Sequence, residues 1–269
     1  MFAFTIFAAY GAAGAALTLG GTPNEDGEPQ RPGGNLMLGV LFALVASHGG
    51  WLTHTVLMNP AHGLDFADVV SVIAWLLAAI GLFASLQKGF QLVGGIVMLL
   101  AAVMMAVPTF WHDPANANPL TWQIKLHAVL SLVAYSFLIA GAVLAGASML
   151  QDNMLRRAKV TRLSTLLPPL MATERFLATL TASGFVFLLL AIVSGFIFVE
   201  NLFAQHLMHK TVLSLLATVI FGTLVIGRLA AGWRGRRMLQ LYLAGFALLI
   251  LAYFGSKFVL EVLLGESWG

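Results

Sequence analysis

The stretch RFLATLTASGFVFLLLAIVSGFIFV, residues 175–199, decides the fold class, because every residue after its first is uncharged. A transmembrane α-helix needs about 20 consecutive apolar residues, whereas a transmembrane strand needs only about 9–11. Backbone polar groups in lipid must be satisfied internally, and a helix does this within one segment. The stretch is therefore predicted to be a membrane-spanning helix.

Further apolar runs of similar length are spread along the 269 residues, broken by proline, glycine and charge. We therefore predict an all-α, polytopic bundle of about eight transmembrane helices, which together form a single transmembrane domain over residues 1–269. The predicted spans lie near 2–20, 36–58, 66–86, 91–108, 121–150, 175–199, 206–227 and 240–264.

The overall composition agrees with this architecture. Hydrophobic residues make up 59% of the chain and charged residues 9%, whereas soluble domains carry about 25% charged residues. Composition therefore excludes an ordinary water-soluble enzyme. The chain has no cysteine, which excludes disulfides, thiolate metal sites, iron–sulfur clusters and thioether-attached haem. Nothing in the charge pattern indicates a nucleic-acid partner.

Lysine and arginine are distributed unevenly between the two sides of the predicted bundle. The loops after the first, third, fifth and seventh spans hold all of them except Lys125, Lys210 and Lys257, which fall on the opposite side. Loops rich in basic residues face the cytoplasm. We therefore expect a multi-pass protein of the bacterial inner membrane, with its basic loops cytoplasmic and both termini on the outer, periplasmic side.

The histidines are as asymmetric as the basic residues. His48 falls near the middle of the second span, and the other six fall at or near the predicted outer face. Ionisable side chains in membrane spans are costly and mark functional sites by default. We therefore look for a binding site at the outer face, where the sequence places His54, His62, His112, His127, His206 and His209.

Two spans that start at the outer face carry polar side chains at steps of four residues. Such a step moves only about 40° around a helix, so each set forms one stripe along its span. Because His209 follows His206 by three residues, both share nearly the same face. The stripes are Gln123, His127, Ser131 and Tyr135 in the fifth span, and His206, Lys210, Ser214 and Thr218 in the seventh.

Two imidazoles at a similar depth in apolar surroundings are typical axial ligands of haem iron. We predict His127 and His209 as these ligands, with His206 as a weaker candidate. A zinc or copper site is the alternative, because His206 and His209 have ligand spacing. Outer-side carboxylates are few and thiolates are absent, which favours haem. Cations suited to haem propionates are Lys125, Lys210 and Lys257.

Two blocks of the sequence resemble the cytochrome c assembly family, the CcsA/HemX-like haem-handling membrane proteins. The first, LHAVLSLVAYSFLIAGAVLAGASMLQDNMLRR (126–157), is similar to a family helix whose outer-face histidine precedes a serine and a tyrosine, here His127, Ser131 and Tyr135. The second is HKTVLSLLATVIFGTLVIGRLAAGWRGRR (209–237), followed by LAYFGSKFVLE (251–261). The segment LPPL (167–170) resembles the short inner-membrane, YpjD-like branch.

This resemblance covers about residues 120–265 and implies a haem-binding membrane protein of cytochrome c assembly or haem handling. Such a protein holds haem b non-covalently and is not an enzyme. Its implied partners are haem, the lipid bilayer and a cytochrome c biogenesis or other membrane protein. Haem-export members carry a tryptophan-rich outer signature, which is replaced here by NLFAQHLMHKT (201–211). A complete export relay is therefore not implied.

Two other functions stay open from the residues alone. The membrane histidines are suited to a transporter of a small ion or metal, in which His48 and His54 form a second site or a path with His206 and Lys257. Alternatively, the chain is a non-catalytic partner or regulatory subunit whose basic segment 151–174 binds a cytoplasmic protein. Bound haem, or a co-purifying protein without haem, distinguishes these functions.

Overall fold

The computed structural model describes residues 2–19, 34–58, 66–87, 89–110, 121–157, 167–198 and 205–252, and these residues form α-helices without any strand. The predicted all-α class is confirmed. A π-helical turn, Thr53–Leu57, extends the second helix. In chain order the helices are α1 Phe2–Leu19, α2 Gly34–Leu52, α3 Phe66–Leu86, α4 Gln91–Phe110, α5 Trp122–Arg156, α6 Leu170–Phe198, α7 Gln205–Ala231 and α8 Arg236–Ile250.

Helices α1 to α7 are long and apolar enough to cross a membrane, so the protein is a multi-pass membrane protein. The last predicted span, 240–264, is different because the described residues end within it. Helix α8 covers 15 residues of the described part and begins at Arg236, before the predicted span. The total of eight spans stays a prediction.

Two helices are longer than their predicted spans. Helix α5 ends later than predicted, and helix α6 begins earlier than predicted. Helix α5 continues to Arg156, and its last turn carries an ion pair of 2.9 Å between Asp152 and Arg156 at i,i+4 spacing. Helix α6 begins directly after Pro169, because proline suits the start of a helix and not its interior. Segment 151–174 is therefore helical at both of its ends, over residues 151–156 and 170–174; residues 158–166 lie outside the described residues.

The chain divides into two compact units. The first comprises Met1–Trp122 and Leu150–Thr173, and it contains α1 to α4. Here α4 packs closely on α1 and on α3 through glycines. A Cβ atom added to Gly95 would lie 3.0 Å from the carbonyl oxygen of Gly14, and one added to Gly94 would lie 2.6 Å from that of Gly81. Small residues at these crossings allow the helix backbones to approach.

The second unit comprises Gln123–Met149 and Glu174–Gly269. In this unit the buried side chain of Tyr242 on α8 donates its hydroxyl proton to the carbonyl oxygen of Leu138 on α5 at 2.9 Å. The ring of Phe221 on α7 packs edge-on against Tyr242, with centroids 5.2 Å apart. Phe137 on α5 stacks on Phe187 on α6 at 6.0 Å. The parts of α5 and α6 that belong to this unit are therefore joined with α7 and α8.

An ionic cluster joins the start of α6 to the end of α7 in the second unit. The carboxylate of Glu174 lies 3.7 Å from Arg228 and 4.0 Å from Arg234. Arg228 lies in the last turn of α7, where a positive charge is favoured by the helix dipole. Gly232 and Gly235 have φ of +60° and +82°, which lets the chain turn from α7 into α8.

Candidate functional site

His127, a half-buried residue of α5, makes polar contacts with a neighbouring helix of the second unit. Its ring nitrogen Nδ1 lies 2.9 Å from the carbonyl oxygen of Ala191 and 3.1 Å from the hydroxyl oxygen of Ser194. Both partners belong to α6. The imidazole predicted as the principal ligand is therefore held by a neighbouring helix of the same unit.

The partners of Nδ1 determine which ring nitrogen carries the proton. The Ser194 hydroxyl donates its only proton to the carbonyl oxygen of Ala191 at 2.7 Å, so its oxygen is left to accept. A carbonyl oxygen can only accept. The Nδ1–H group of His127 must then donate to both oxygens, and in the neutral ring the lone pair stays on Nε2. A metal-binding histidine characteristically has this arrangement, with its other nitrogen bonded to a carbonyl.

The position of this contact along the helices follows from their opposite directions. His127 lies five residues after the start of α5, and Ser194 lies four residues before the end of α6. With a rise of 1.5 Å per residue, both positions are roughly 6–8 Å from a helix end along the axis. His127 therefore lies close to the helix ends, at the side where α5 begins and α6 ends; its predicted depth at the outer face of the membrane stays a prediction.

The other predicted residues of the fifth span lie on α5 near His127. The Ser131 hydroxyl donates to the carbonyl oxygen of His127 itself at 2.8 Å, which is a bond within the helix. Lys125 and Tyr135 are half-buried, one to each side of His127 along α5. The hydroxyl proton of Ser131 is therefore used within α5 and is not available to a ligand.

Three of the remaining candidates belong to the first turns of α7, which starts at Gln205. His206 and His209 are helical, but their side chains lie outside the described residues; Lys210 is half-buried. Lys257 also lies outside the described residues, as do His62 and His112. The pairing of His127 with His209 stays a prediction.

His48 lies in the first unit at the centre of a polar network that joins four helices. Its Nδ1 lies 2.9 Å from the hydroxyl of Tyr10, and its Nε2 lies 3.1 Å from the hydroxyl of Ser71. Ser71 in turn donates to the sulfur of Met105 at 3.6 Å. All four side chains are at most 1% exposed. Both nitrogens of His48 are therefore bonded within the protein.

The direction of the bonds in this network follows from its last member. Because Ser71 gives its proton to Met105, it accepts from the Nε2–H group of His48. The Nδ1 atom then accepts from Tyr10, and a neutral imidazole satisfies every partner. His54 differs from His48, since it lies on the π-helical turn and is exposed. Their predicted role as a second site or path stays a prediction.

The sequence singles out His48 and His127 but not the groups that hold them. Ala191 and Ser194 are 64 and 67 positions from His127. The order of the spans offers one indication. Consecutive spans run antiparallel, so the start of one span lies on the same side as the end of the next. Ser194 near the end of the sixth span could have been inferred in this way, whereas a backbone carbonyl carries no sequence signal.

His127 provides a donor of the kind that haem iron takes from a protein. Among the described residues no group of three or more histidine, cysteine or acidic side chains could hold a metal ion. Haem iron takes its four equatorial ligands from the porphyrin and needs only axial ligands from the protein. One imidazole with its lone pair on Nε2 meets this requirement.

Comparisons with known proteins extend the resemblance towards the N-terminus. The family model described as cytochrome C assembly protein matches residues 37–264. The inner membrane protein YpjD of Escherichia coli K12 is 30% identical over 240 residues, which cover 87% of this chain and 90% of that protein. An uncharacterized 28.8 kDa protein of Azospirillum brasilense is 30% identical over 242 residues, covering 86% of each chain. No solved structure matches.

Proposed function

The chain belongs to the cytochrome c assembly protein family, and we propose that it is the haem-binding member of such a system, holding haem b non-covalently in the inner membrane. The observation that carries this proposal is the hydrogen bond from Nδ1 of His127 to Ala191 at 2.9 Å. This bond leaves the lone pair on Nε2, the nitrogen that an iron atom would take.

His209 is the second axial ligand in this proposal, and His206 is the alternative ligand on the same helix. Both lie in the first turns of α7, which starts on the side where α6 ends. Two neutral imidazoles would hold haem iron through the lone pairs of their ring nitrogens. Lys125 and Lys210 lie beside the two histidines in the sequence and are the cations for the propionates, with Lys257 as a third.

The orientation in the membrane is part of the proposal. We place the basic turn after α7 in the cytoplasm, which puts His127 near the periplasmic face and requires an eighth span through α8 to bring both termini outside. The family and the relatives named as inner membrane proteins support this location. A haem site at the periplasmic face would be accessible to a cytochrome c biogenesis partner.

A binding role without covalent chemistry agrees best with the His127 site. Its serines, Ser131 and Ser194, both donate their hydroxyl protons to carbonyl oxygens of their own helices. Neither hydroxyl donates to the imidazole, as a serine nucleophile would to its general base. In our proposal the protein therefore holds or passes on haem and is not an enzyme.

The proposal is tested by absorption spectra of the detergent-purified protein titrated with hemin. We expect the wild type to give a Soret band with sharp α and β bands on reduction, and His127→Ala and His209→Ala each to lose this six-coordinate spectrum. His112→Ala is the matched control, because the sequence places it on the same side without a proposed role. A wild type that takes up no hemin would contradict the proposal.

A further inference from the structure

Ser194 is a buried serine of α6 whose hydroxyl does more than satisfy its own helix. The side chain is 6% exposed. It donates to the carbonyl oxygen of Ala191 at 2.7 Å and accepts from Nδ1 of His127 at 3.1 Å. Ser136 and Ser148 on α5 are also buried, but the bonds described for them are to their own helix only. Ser194 therefore combines helix bonding with a contact to a histidine of another helix.

We propose that Ser194 is a positioning residue that sets the ring orientation and the basicity of His127 as an iron ligand. This inference rests on the proposed function. With Ala191 and Ser194 both accepting from one N–H group, rotation of the imidazole about its Cβ–Cγ bond breaks two hydrogen bonds. Bonds of this kind to a ligating histidine fix its tautomer and raise its basicity.

The Ser194 hydroxyl takes part in two bonds at once, because it donates to the carbonyl oxygen of Ala191 and accepts from Nδ1–H of His127. Its proton polarises the carbonyl of Ala191, and its oxygen receives part of the Nδ1–H bond. A more basic imidazole donates more electron density to iron and stabilises the ferric state. Weakening the acceptor at position 194 therefore raises the reduction potential of bound haem, and a stronger acceptor lowers it.

This predicts shifts of opposite sign in two variants. Ser194→Ala removes one acceptor, and we expect hemin binding weaker by roughly tenfold together with a higher midpoint potential. Ser194→Asp places a carboxylate next to Nδ1–H, and we expect a lower midpoint potential. Ser194→Thr keeps the hydroxyl and should retain the wild-type potential. Ser136→Ala is the matched control, since Ser136 is a buried helix serine with a bond only to Leu132.

The measurements are hemin titration and spectroelectrochemistry of the purified, hemin-loaded proteins. If His127→Ala still gives the wild-type spectrum, the proposed function fails. If His127→Ala loses hemin but Ser194→Ala and Ser194→Asp keep wild-type affinity and potential, the function stands and the positioning role is overturned. Shifts of the same sign in both variants also overturn it, because they indicate a general disturbance of packing.

One measurement is independent of haem. Nitrogen NMR of the hemin-free protein, labelled at histidine and assigned with His127→Ala, reports which ring nitrogen carries the proton. We expect Nδ1–H for His127 in the wild type and in Ser194→Thr, and increased Nε2–H in Ser194→Ala. A wild-type ring protonated on Nε2 would overturn the inference whatever the spectra of the hemin-loaded proteins show.

Discussion

Tyr10, His48, Ser71 and Met105 show how individual polar residues are accommodated inside the first unit. Each donor of the network has an acceptor, ending at the sulfur of Met105, which is only a weak acceptor. Throughout the described residues no buried side-chain nitrogen or oxygen lacks a hydrogen-bond partner. A substitution in this network therefore leaves a polar atom unpaired where water does not reach it.

Tyr10→Phe is a small change that leaves a buried polar atom of this network, Nδ1 of His48, without its hydrogen-bond partner. It removes the hydroxyl that donates to Nδ1 of His48 and keeps the ring, so the cost is the lost bond and the unpaired nitrogen. Bonds between membrane helices contribute about 0.6 kcal/mol on average, and an unsatisfied buried acceptor adds to this. We expect the free energy of unfolding to fall by about 1 kcal/mol, measured by denaturant unfolding in detergent.

Thr223→Val is the control for this prediction. The Thr223 hydroxyl is exposed and donates to the carbonyl oxygen of Val219 on its own helix, so its removal leaves no buried group unpaired. Its stability should equal that of the wild type. A Tyr10→Phe protein as stable as both would show that the Tyr10–His48 bond does not contribute.

The sequence predicts residues of this kind only in part. His48 and His127 stand out because ionisable side chains are rare in apolar spans. Their partners do not stand out, because tyrosine, serine and methionine are ordinary in membrane helices. The bonds also join positions far apart in the chain, 38 for Tyr10 with His48 and 67 for His127 with Ser194. Packing, rather than local pattern, selects such partners.

At the scale of elements, the crossing of α1 and α4 depends on the absence of side chains. A Cβ atom at Gly14 would lie 2.8 Å from the backbone nitrogen of Leu99 and 2.9 Å from the carbonyl oxygen of Gly95. Backbone atoms cannot move aside as a flexible side chain can. Any larger residue at Gly14 must therefore push the two helices apart.

This predicts opposite effects of the same substitution at two helical glycines. Alanine is favoured over glycine in a helix interior by about 1 kcal/mol. Gly39→Ala on α2 should be neutral or stabilising, because nothing lies within 4 Å of the added Cβ. Gly14→Ala should be destabilising, since the clash with α4 outweighs the helix propensity. Unfolding of both variants in the same detergent measures the difference, and equal stabilities would contradict the close crossing.

The positions of the helices were predictable from the apolar runs, but several ends were not. The apolar pattern stops near residue 150, yet α5 continues to Arg156. A helix can continue past its apolar run where local contacts such as the Asp152–Arg156 ion pair support it. The π-helical turn Thr53–Leu57 has no proline or glycine within it that would indicate it. Hydropathy reports burial in lipid and not the continuity of backbone hydrogen bonds.

At the scale of the whole molecule, the proposed orientation makes a labelling prediction. The chain has no cysteine, so a single introduced cysteine reports its own position. Ala231 is an exposed residue at the end of α7, on the side proposed as cytoplasmic. Ala117 falls between α4 and α5 in the sequence, outside the described residues. In spheroplasts, a membrane-impermeant maleimide should label Ala117→Cys and not Ala231→Cys.

Disrupted cells provide the control for this experiment, because both cysteines should then react. Labelling of Ala231→Cys alone in intact spheroplasts would reverse the proposed orientation and would move His127 to the cytoplasmic face. Since the positive-inside rule counts basic residues near the spans, the same reversal would make this chain an exception to it.

Each of the two units is formed by two separate segments of the chain, and this limits how the gene can be rearranged. The chain passes from the first unit to the second after Trp122, returns at Leu150 and leaves again after Thr173. A single recombination breakpoint therefore cannot transfer either unit intact to another protein. Exchange of the whole second unit would need breakpoints inside α5 and inside α6. At each of these breakpoints the two joined helix segments would have to match in register. Inheritance of the two units together is the expected consequence.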